Sequence, residues 1–263
     1  MSNNPQLAIR KAVAAENMSA KNDLALQAKP RLRYMICSTP RSGSTLLGDL
    51  LTTTGVAGAP MEYFNDVNIQ AFFERSKRNM GLDDYLTAIQ SLRTTPNGVF
   101  GFKAHFGQIT SALKTAGLTN PTQFLALFDK FIIIKRRNKL GQAISWNKAL
   151  QTGRWSSLHN HVEAPELPVK FDPEGISASL QRIMRGEREW EDALRQLGQN
   201  YHTVEYEELV EQPAEQIAKI LAFCSIHEAH VVPKPRLEKQ RDSMNSEMER
   251  QYLSFISAGR IAL

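Results

Sequence analysis

The sequence lacks the features of several common protein classes. It has only two cysteines among its 263 residues, and neither lies in a zinc-ligand spacing. Cys37 falls in an apolar strand and Cys224 in an apolar helix, so we expect two buried thiols in a reducing compartment rather than a disulfide. No stretch approaches the roughly 18 consecutive apolar residues of a transmembrane helix, and residues 1–7 lack the basic-then-apolar order of a signal peptide. The sequence therefore predicts a cytoplasmic protein with no transmembrane segment.

Strong charge of one sign is also missing. The net charge is +5 and the pI is near 9.2, which suits an anionic ligand. However, no Lys/Arg run with interleaved aromatic residues indicates a nucleic-acid surface, so we expect no nucleic-acid partner. With 42% hydrophobic residues, the chain can bury the core of one large α/β domain.

A third absence concerns nucleotide chemistry. The phosphate loop of nucleoside triphosphatases needs G-x-x-x-x-G-K-[ST], whose lysine contacts the terminal phosphates and whose hydroxyl binds magnesium. This chain contains no Gly-Lys pair, and no acidic residue stands clearly at the end of a following strand to hold the ion. We therefore expect a site without a metal.

The segment from Tyr34 to Gly48 is the most informative part of the chain, because it reads as a strand, a tight loop and a helix start. The first N–H groups of a helix have no partner within it, and the helix dipole favours negative charge there. Gly43 lets the backbone approach a ligand closely, and Arg41 supplies a cation. The hydroxyl donors are Ser42, Ser44 and Thr45. The loop is therefore predicted to bind a phosphate-like group.

A second strand–helix unit has similar features. Residues 131–135 are apolar and β-branched, as expected of a buried parallel strand, and Asn138 is a plausible N-cap for the helix that follows. Arg136 stands at the strand end, and Ser145 lies about two helical turns further on. A solvated basic strand end formed by Arg136 and Arg137 is the alternative. Because two strand–helix units both carry phosphate-type residues, we favour the interpretation that Arg136 and Ser145 bind a second phosphate.

These segments resemble known ones. The letters P-R-S-G-S-T at 40–45 resemble the 5′-phosphosulfate loop of sulfotransferases, whose usual form is P-[KR]-S-G-[ST]-[ST]. Arg136 and Ser145 fit the places where sulfotransferases bind the 3′-phosphate of the donor nucleotide. Further blocks narrow the resemblance to the bacterial trehalose 2-sulfotransferase family and together span about residues 32 to 255. They are residues 54–64, 95–103, 142–146, 151–155 and 233–242.

The resemblance implies the sulfotransferase fold, a P-loop-like parallel sheet flanked by helices. It implies in-line transfer of a sulfuryl group from 3′-phosphoadenylyl sulfate (PAPS) to a hydroxyl, which leaves adenosine 3′,5′-bisphosphate. Cations and N–H donors stabilise the charge that develops on the leaving phosphate, so no metal is needed. The resemblance also implies a homodimer, and it implies donor contacts from Gln240 and Arg241 in a basic C-terminal segment.

Strands alternate with helices along the chain, which predicts a parallel sheet with right-handed crossovers. Residues 1–30 are predicted to be a flexible or helical arm, and residues 31–263 a single sulfotransferase domain. The predicted strands are 32–38, 56–60, 98–103, 131–135 and one beginning at 203. The predicted helices are 44–53, two within 66–94 that separate near Gly81, one after Asn138, one at 176–197 with Trp190 in the core, and one that Pro213 begins.

Three further residues are candidates for catalysis, one by its charge and two as alternative bases. Lys103 ends a predicted strand at the edge where open α/β sheets bind ligands, so we expect it to join Arg41 in stabilising the leaving group. A lysine that reaches solvent is the alternative. Glu62 falls where the trehalose enzymes place their catalytic glutamate, and its apolar neighbours predict a raised pKa suited to a general base. His105 is the rival base, because a strand places it on the same face as Lys103.

The acceptor site is the least specified part. Its predicted contacts are Glu62, Tyr63, Phe64 and Trp155. Residues 153–168 show no clear period and are long for a loop, so they are predicted to form a lid with acceptor contacts, or a surface lid without them. Ala59 stands where the trehalose enzymes carry another glutamate. The predicted acceptor is therefore a hydroxyl of a carbohydrate or glycolipid.

Two other classes of protein stay open. A kinase with a degenerate loop would bind ATP and need magnesium, and the missing Gly-Lys pair argues against it. A nucleotide-binding protein without catalysis would bind the donor without turnover. The presence of both Glu62 and Lys103 argues against that alternative.

Overall fold

A computed structural model of the chain describes residues 5–24, 29–155, 168–229, 231 and 243–259. These residues form a four-stranded sheet of order β2-β1-β3-β4 in which every pairing is parallel, as predicted. The strands are β1 (Leu32–Ser38), β2 (Val99–His105), β3 (Lys130–Lys135) and β4 (Tyr201–Glu205).

Helices cover both faces of this sheet. They are α1 (Pro5–Asn17), α2 (Ser44–Thr53), α3 (Asp66–Ser76), α4 (Leu82–Arg93), α5 (Phe106–Thr115), α6 (Pro121–Leu125), α7 (Lys139–Thr152), α8 (Pro173–Gln196), α9 (Tyr206–Glu211), α10 (Pro213–Phe223) and α11 (Ser243–Ser257). Alternate residues of β1 enter different cores: Met35 and Cys37 pack with α3 to α6 and α8, whereas Tyr34 and Ile36 pack with α2 and α10. A strand buried on both faces explains the continuous apolar run in the sequence.

The strand register brings the carboxyl ends of the central strands to one edge. Ser38, the last residue of β1, pairs with His105, the last residue of β2. Arg136 follows β3, and Tyr206 follows β4, at the same edge. Ligands of open parallel sheets bind at this edge, so the register places the candidate residues of four separate segments together.

Most predicted elements are confirmed. Helix α2 occupies the predicted residues, and Pro213 begins α10. The Asn138 side chain caps α7 by accepting from the Gly141 N–H at 2.7 Å. Trp190 is 1% exposed and its indole N–H donates to the Ser38 carbonyl at 3.0 Å. Both cysteines are buried and free.

The predicted strand at 56–60 is wrong, because these described residues form turns and an irregular loop. Side chains satisfy their carbonyl groups in place of a strand ladder: the Asn97 amide donates to the Val56 oxygen at 2.9 Å, and the Tyr34 hydroxyl to the Ala57 oxygen at 2.7 Å. Gly58 has φ of +70°, and a Cβ there would lie 2.7 Å from the Gly101 nitrogen. A turning backbone pressed against β2 therefore replaces the strand.

The described part of residues 1–30 folds onto the rest of the chain. Helix α1 packs on α3 and buries Ile9 and Ala14. The buried Arg93 side chain donates to the Asn22 carbonyl at 2.8 Å and pairs with Asp23 at 3.2 Å. The division of the chain at residue 30 stays a prediction. In the part of the chain that the structure describes, no helix is long and apolar enough to cross a membrane.

Gly101→Ala is expected to destabilise the protein. The new Cβ would lie 2.6 Å from the Tyr34 hydroxyl, which is held by its hydrogen bond to Ala57, so overpacking should cost about 1–3 kcal/mol. Urea denaturation measures the loss.

Gly107→Ala is the matched control, because no described atom lies within 4 Å of its Cβ. Alanine in a helix such as α5 should raise stability by about 0.5–1 kcal/mol. Equal effects of the two variants would contradict the close packing of Gly101 on Tyr34.

Candidate active site

The loop of residues 39–43 connects β1 to α2 and is held in place by α7. The Gln142 amide donates to the Thr39 hydroxyl at 3.0 Å and to the Pro40 carbonyl at 2.8 Å. Arg41 and Gly43 both have positive φ, of 62° and 97°. Arg41 is not a glycine, so this conformation is strained and must be maintained by the surrounding contacts.

The start of α2 can receive an anion. Gly43 is its N-cap and supplies no side-chain hydrogen bond, so the first N–H groups of the helix are left for another acceptor. The buried Ser42 hydroxyl has no hydrogen-bond partner among the described residues. A buried donor without a partner is costly, and a phosphate-type oxygen in the loop would satisfy it. The loop therefore fits the predicted phosphosulfate group.

Gly43 has a structural role besides the close approach to a ligand, which stays a prediction. A Cβ at this position would lie 2.3 Å from the ring of Tyr206, so the absent side chain makes room for that ring. Arg136 also lies against this ring, with its guanidinium 5.0 Å from the ring centroid. Tyr206 therefore connects the loop after β1 to the strand end of β3.

Arg41 joins the two predicted phosphate segments. Its Nε donates to the Ser145 hydroxyl at 2.9 Å, and its guanidinium also donates to the Trp155 carbonyl. Burial, together with the positive charge of Arg136, lowers the pKa of Arg41 to about 10. The structure thus brings Arg41, Arg136 and Ser145 into one basic cluster at the ends of β1 and β3. An anion between the arginines would relieve their repulsion.

Sequence reasoning missed Glu207, although it belongs to a Y-E-E-L segment. Its carboxylate accepts from the backbone N–H groups of Arg137 and Asn138, at 3.1 and 3.4 Å. Burial favours the neutral acid, but these N–H groups outweigh it and lower the pKa of Glu207. Glu207 therefore holds the segment that carries Arg136, and it occupies N–H groups that a phosphate would otherwise use.

A second cluster lies at the ends of β1 and β2. The Lys103 ammonium is 3.2 Å from Oε1 of Glu62 and donates to the Thr45 hydroxyl at 3.3 Å. Lys103 is 5% exposed, so the alternative of a lysine that reaches solvent is wrong. Because Thr45 belongs to the first turn of α2, Lys103 connects Glu62 to the anion-type loop.

The pKa of Glu62 differs from the expected one. Burial does raise it, but the charge of Lys103, the charge that His105 carries in acid, and hydrogen bonds from Gln108 and Lys103 outweigh burial, so the pKa lies far below its ordinary value. The sequence showed the apolar neighbours and not these partners. Glu62 is therefore ionised at neutral pH.

The hydrogen bonds of His105 define its tautomer. Its Nδ1 lies 3.2 Å from the Ser38 carbonyl and 3.0 Å from the Ser38 hydroxyl. A carbonyl only accepts, so Nδ1 carries the proton, and Nε2 presents a lone pair 3.8 Å from Oε1 of Glu62. Burial, with the charge of Lys103, lowers the pKa of His105 against the opposing effect of Glu62. The ring is therefore neutral at neutral pH.

The predicted acceptor contacts need correction. Tyr63 and Phe64 are 0% exposed and pack against Phe102 with centroid distances of 5.6 and 5.0 Å. They are core residues that position Glu62 and cannot contact an acceptor. Trp155 is partly exposed, and its buried indole nitrogen has no hydrogen-bond partner in the described parts of the chain. The predicted donor contacts Gln240 and Arg241 lie outside the described residues, as do most residues of the predicted lid.

An anion-type loop after the central strand of a parallel sheet, with a lysine at the neighbouring strand end, is the arrangement that the resemblance predicts for a transferase of the sulfotransferase class. The chain belongs to the Stf0 sulphotransferase family, whose sequence model matches residues 33–254.

Two sequence relatives agree with this assignment. Trehalose 2-sulfotransferase of Mycolicibacterium smegmatis is 26% identical over 252 residues, which cover 83% of this chain and 93% of that protein. The enzyme of the same name from Mycobacterium tuberculosis is 25% identical over 254 residues, with the same shares. The crystal structure of a sulfotransferase from Alicyclobacillus acidocaldarius aligns with a TM-score of 0.45 at 12% identity, covering 88% of this chain and 94% of that one.

Glu207→Gln is expected to destabilise the protein at neutral pH, because the amide loses the charge that the two N–H groups bind. The folded pKa of Glu207 is lowered, so its contribution is present above the unfolded pKa of about 4.3 and is lost as the pH falls through the folded value. Urea denaturation from pH 7 to about pH 3 should show the two proteins converging in acid.

Glu211→Gln is the control, since Glu211 is an exposed glutamate of the same helix. It should leave stability nearly unchanged. If Glu207→Gln were as stable as this control at pH 7, the inference that Glu207 holds the segment carrying Arg136 would be contradicted.

Proposed function

We propose that this protein transfers the sulfuryl group of PAPS to a hydroxyl of a carbohydrate or glycolipid, in line and without a metal ion. One observation carries the proposal. Arg41 of the loop after β1 donates to Ser145 of α7 at 2.9 Å, and burial together with the charge of the nearby Arg136 lowers the pKa of Arg41. Two segments that resemble the two phosphate sites of sulfotransferases thus meet in one basic cluster.

The donor site divides into two parts. PAPS supplies an activated sulfuryl group when bound, with the bisphosphate as leaving group. Backbone N–H groups at the start of α2 bind the 5′-phosphosulfate, together with the Ser42, Ser44 and Thr45 hydroxyls. Arg136 and Ser145 bind the 3′-phosphate through their side chains, because Glu207 already occupies the backbone N–H groups of Arg137 and Asn138.

The cations stabilise the leaving phosphate. Negative charge develops on the bridging oxygen as the S–O bond breaks, and preorganised donors lower the barrier most in a dry site. Lys103 lies 3.3 Å from the Thr45 hydroxyl and is almost fully buried, so its ammonium is placed beside the loop. Lys103 and Arg41 therefore supply the charge that a metal supplies in triphosphatases.

Glu62 is the proposed general base. The acceptor oxygen attacks sulfur, and its proton passes to the Glu62 carboxylate, which is ionised and lies 3.2 Å from Lys103. A carboxylate of low pKa binds a proton weakly on its own. However, Lys103 is drawn to the leaving oxygen as charge grows there, which raises the proton affinity of Glu62 at the moment of transfer. His105 is the second candidate, because its Nε2 lone pair faces the same space.

The acceptor class is proposed from the relatives. Both curated relatives are named for sulfation of trehalose, whereas Ala59 here departs from their pattern. A sugar hydroxyl on a carbohydrate or glycolipid satisfies both facts. Contacts of Trp155 with the acceptor, contacts of Gln240 and Arg241 with the donor, and a homodimer remain proposals from the same resemblance.

Adenosine 3′,5′-bisphosphate should bind the purified protein without a metal, and Arg136→Ala should weaken that binding. Loss of a hydrogen bond to a charged group costs about 1.5–3 kcal/mol, which corresponds to roughly tenfold to a hundredfold in affinity. Isothermal titration calorimetry measures the change.

Arg137→Ala is the control variant, because it removes one positive charge from the residue next to Arg136. Arg137 is exposed and pairs with Glu208, so this variant should bind the bisphosphate nearly as the wild type does. Binding of ATP with magnesium in place of the bisphosphate would instead support the kinase alternative and end the sulfotransferase proposal.

Glu62→Gln should lower kcat for sulfuryl transfer by about a hundredfold or more, because general-base catalysis contributes roughly 100- to 10,000-fold. The affinity for adenosine 3′,5′-bisphosphate should change little. Rates with a panel of sugar acceptors, at fixed donor concentration, provide the measurement.

His105→Ala separates the two candidate bases. If Glu62 is the base, this variant should retain much more activity than Glu62→Gln. If His105→Ala instead lost more activity than Glu62→Gln, His105 would be the base that accepts the proton of the acceptor hydroxyl.

A further inference from the structure

We propose that Gln108 is a positioning residue for the catalytic carboxylate, one that holds a single oxygen of Glu62 and leaves the other to receive the proton. This inference rests on the proposed function and deepens it. No motif pointed to Gln108, because glutamine at this place has an ordinary structural explanation.

The backbone around α5 determines the orientation of the Gln108 amide. Gln108 is the third residue of the helix, and its side-chain oxygen accepts from the His105 N–H at 3.0 Å, in a capping box. With the oxygen engaged there, only the NH2 group can face the carboxylate. It donates to Oε2 of Glu62 at 2.8 Å.

A second helix start contributes in the same way. Asn65 caps α3 by accepting from the Val67 N–H, and its amide donates to the same Oε2 at 3.3 Å. Two amides, each oriented by a helix N-terminus, therefore converge on one carboxylate oxygen.

The charged and titratable groups face the other oxygen. Lys103 lies 3.2 Å from Oε1, and Nε2 of His105 lies 3.8 Å from it, both from β2. Each oxygen of the carboxylate has a separate environment as a result. Oε2 is held by neutral amides, whereas Oε1 lies beside the cation that connects to the donor loop. Oε1 is the oxygen placed to take the acceptor proton.

Gln108→Glu separates this role from helix capping. Glutamate is a usual residue at the third position of a capping box, so the new side chain still accepts from the His105 N–H. An ionised carboxylate cannot donate to Glu62, and it places a second negative charge against the first, which raises the pKa of one of the pair. A purely structural Gln108 would therefore tolerate this substitution.

The expected result is a fall in kcat of about tenfold to a hundredfold, as for other small displacements of a reacting group. The KM for the donor should not change. The acid limb of the pH profile of kcat/KM should move to higher pH. Activity and a profile equal to those of the wild type would overturn the proposal.

A second measurement does not depend on turnover. Gln108→Glu should lower stability to urea at neutral pH in the wild-type background. It should have little effect in a Glu62→Gln background, where the neutral amide removes the repulsion between carboxylates. Equal effects in both backgrounds would overturn the contact. The stability effects at positions 108 and 62 could also be coupled in a protein that transfers no sulfuryl group. That result would support the contact between Gln108 and Glu62 and reject the proposed function.

Discussion

Parallel pairing of β1 with β2 and β3 is the constraint on which the rest of the site depends. Residues of four segments far apart in the chain meet only because three strands end at the same edge. The pairing of Ser38 with His105 places the end of β2 beside the loop of Arg41. A shift of one residue in that register would turn Lys103 and His105 to the opposite face of the sheet. The pairing therefore determines which charges can interact.

The charges at this edge are arranged in two contrasting ways. Lys103 and Glu62 are opposite charges in contact, and each lowers the cost of burying the other. Arg41 and Arg136 are like charges held near each other, and burial together with the charge of Arg136 lowers the pKa of Arg41. The first arrangement pairs opposite charges with each other, whereas the second, which brings like charges together, is suited to bind an anion.

Local sequence was enough for those parts of the protein that local physics controls. The apolar runs of β1 and β3, the cap at Asn138 and the loop P-R-S-G-S-T each carry their structural meaning within about ten residues. The prediction was wrong where contacts with residues distant in the chain determine the local structure. Residues 56–60 have a strand-like composition, but the side chains of Tyr34 and Asn97 donate hydrogen bonds to two of their carbonyl groups. Tyr63 and Phe64 directly follow Glu62 in sequence, yet both rings are buried in the core.

The sequence by itself determined the α/β class, the anion-type loop, the family and most of the candidate residues, because motif spacing and hydrophobic pattern depend on the order of residues alone. Tertiary structure decided the electrostatic state of each group. It placed Lys103 and Gln108 on Glu62 and lowered a pKa that burial alone would raise. It also placed the Tyr206 ring against Gly43 and the Glu207 carboxylate on the N–H groups of Arg137 and Asn138, just before α7. Coulomb energies depend on distances of a few ångströms between residues far apart in the chain, and only the folded structure sets those distances.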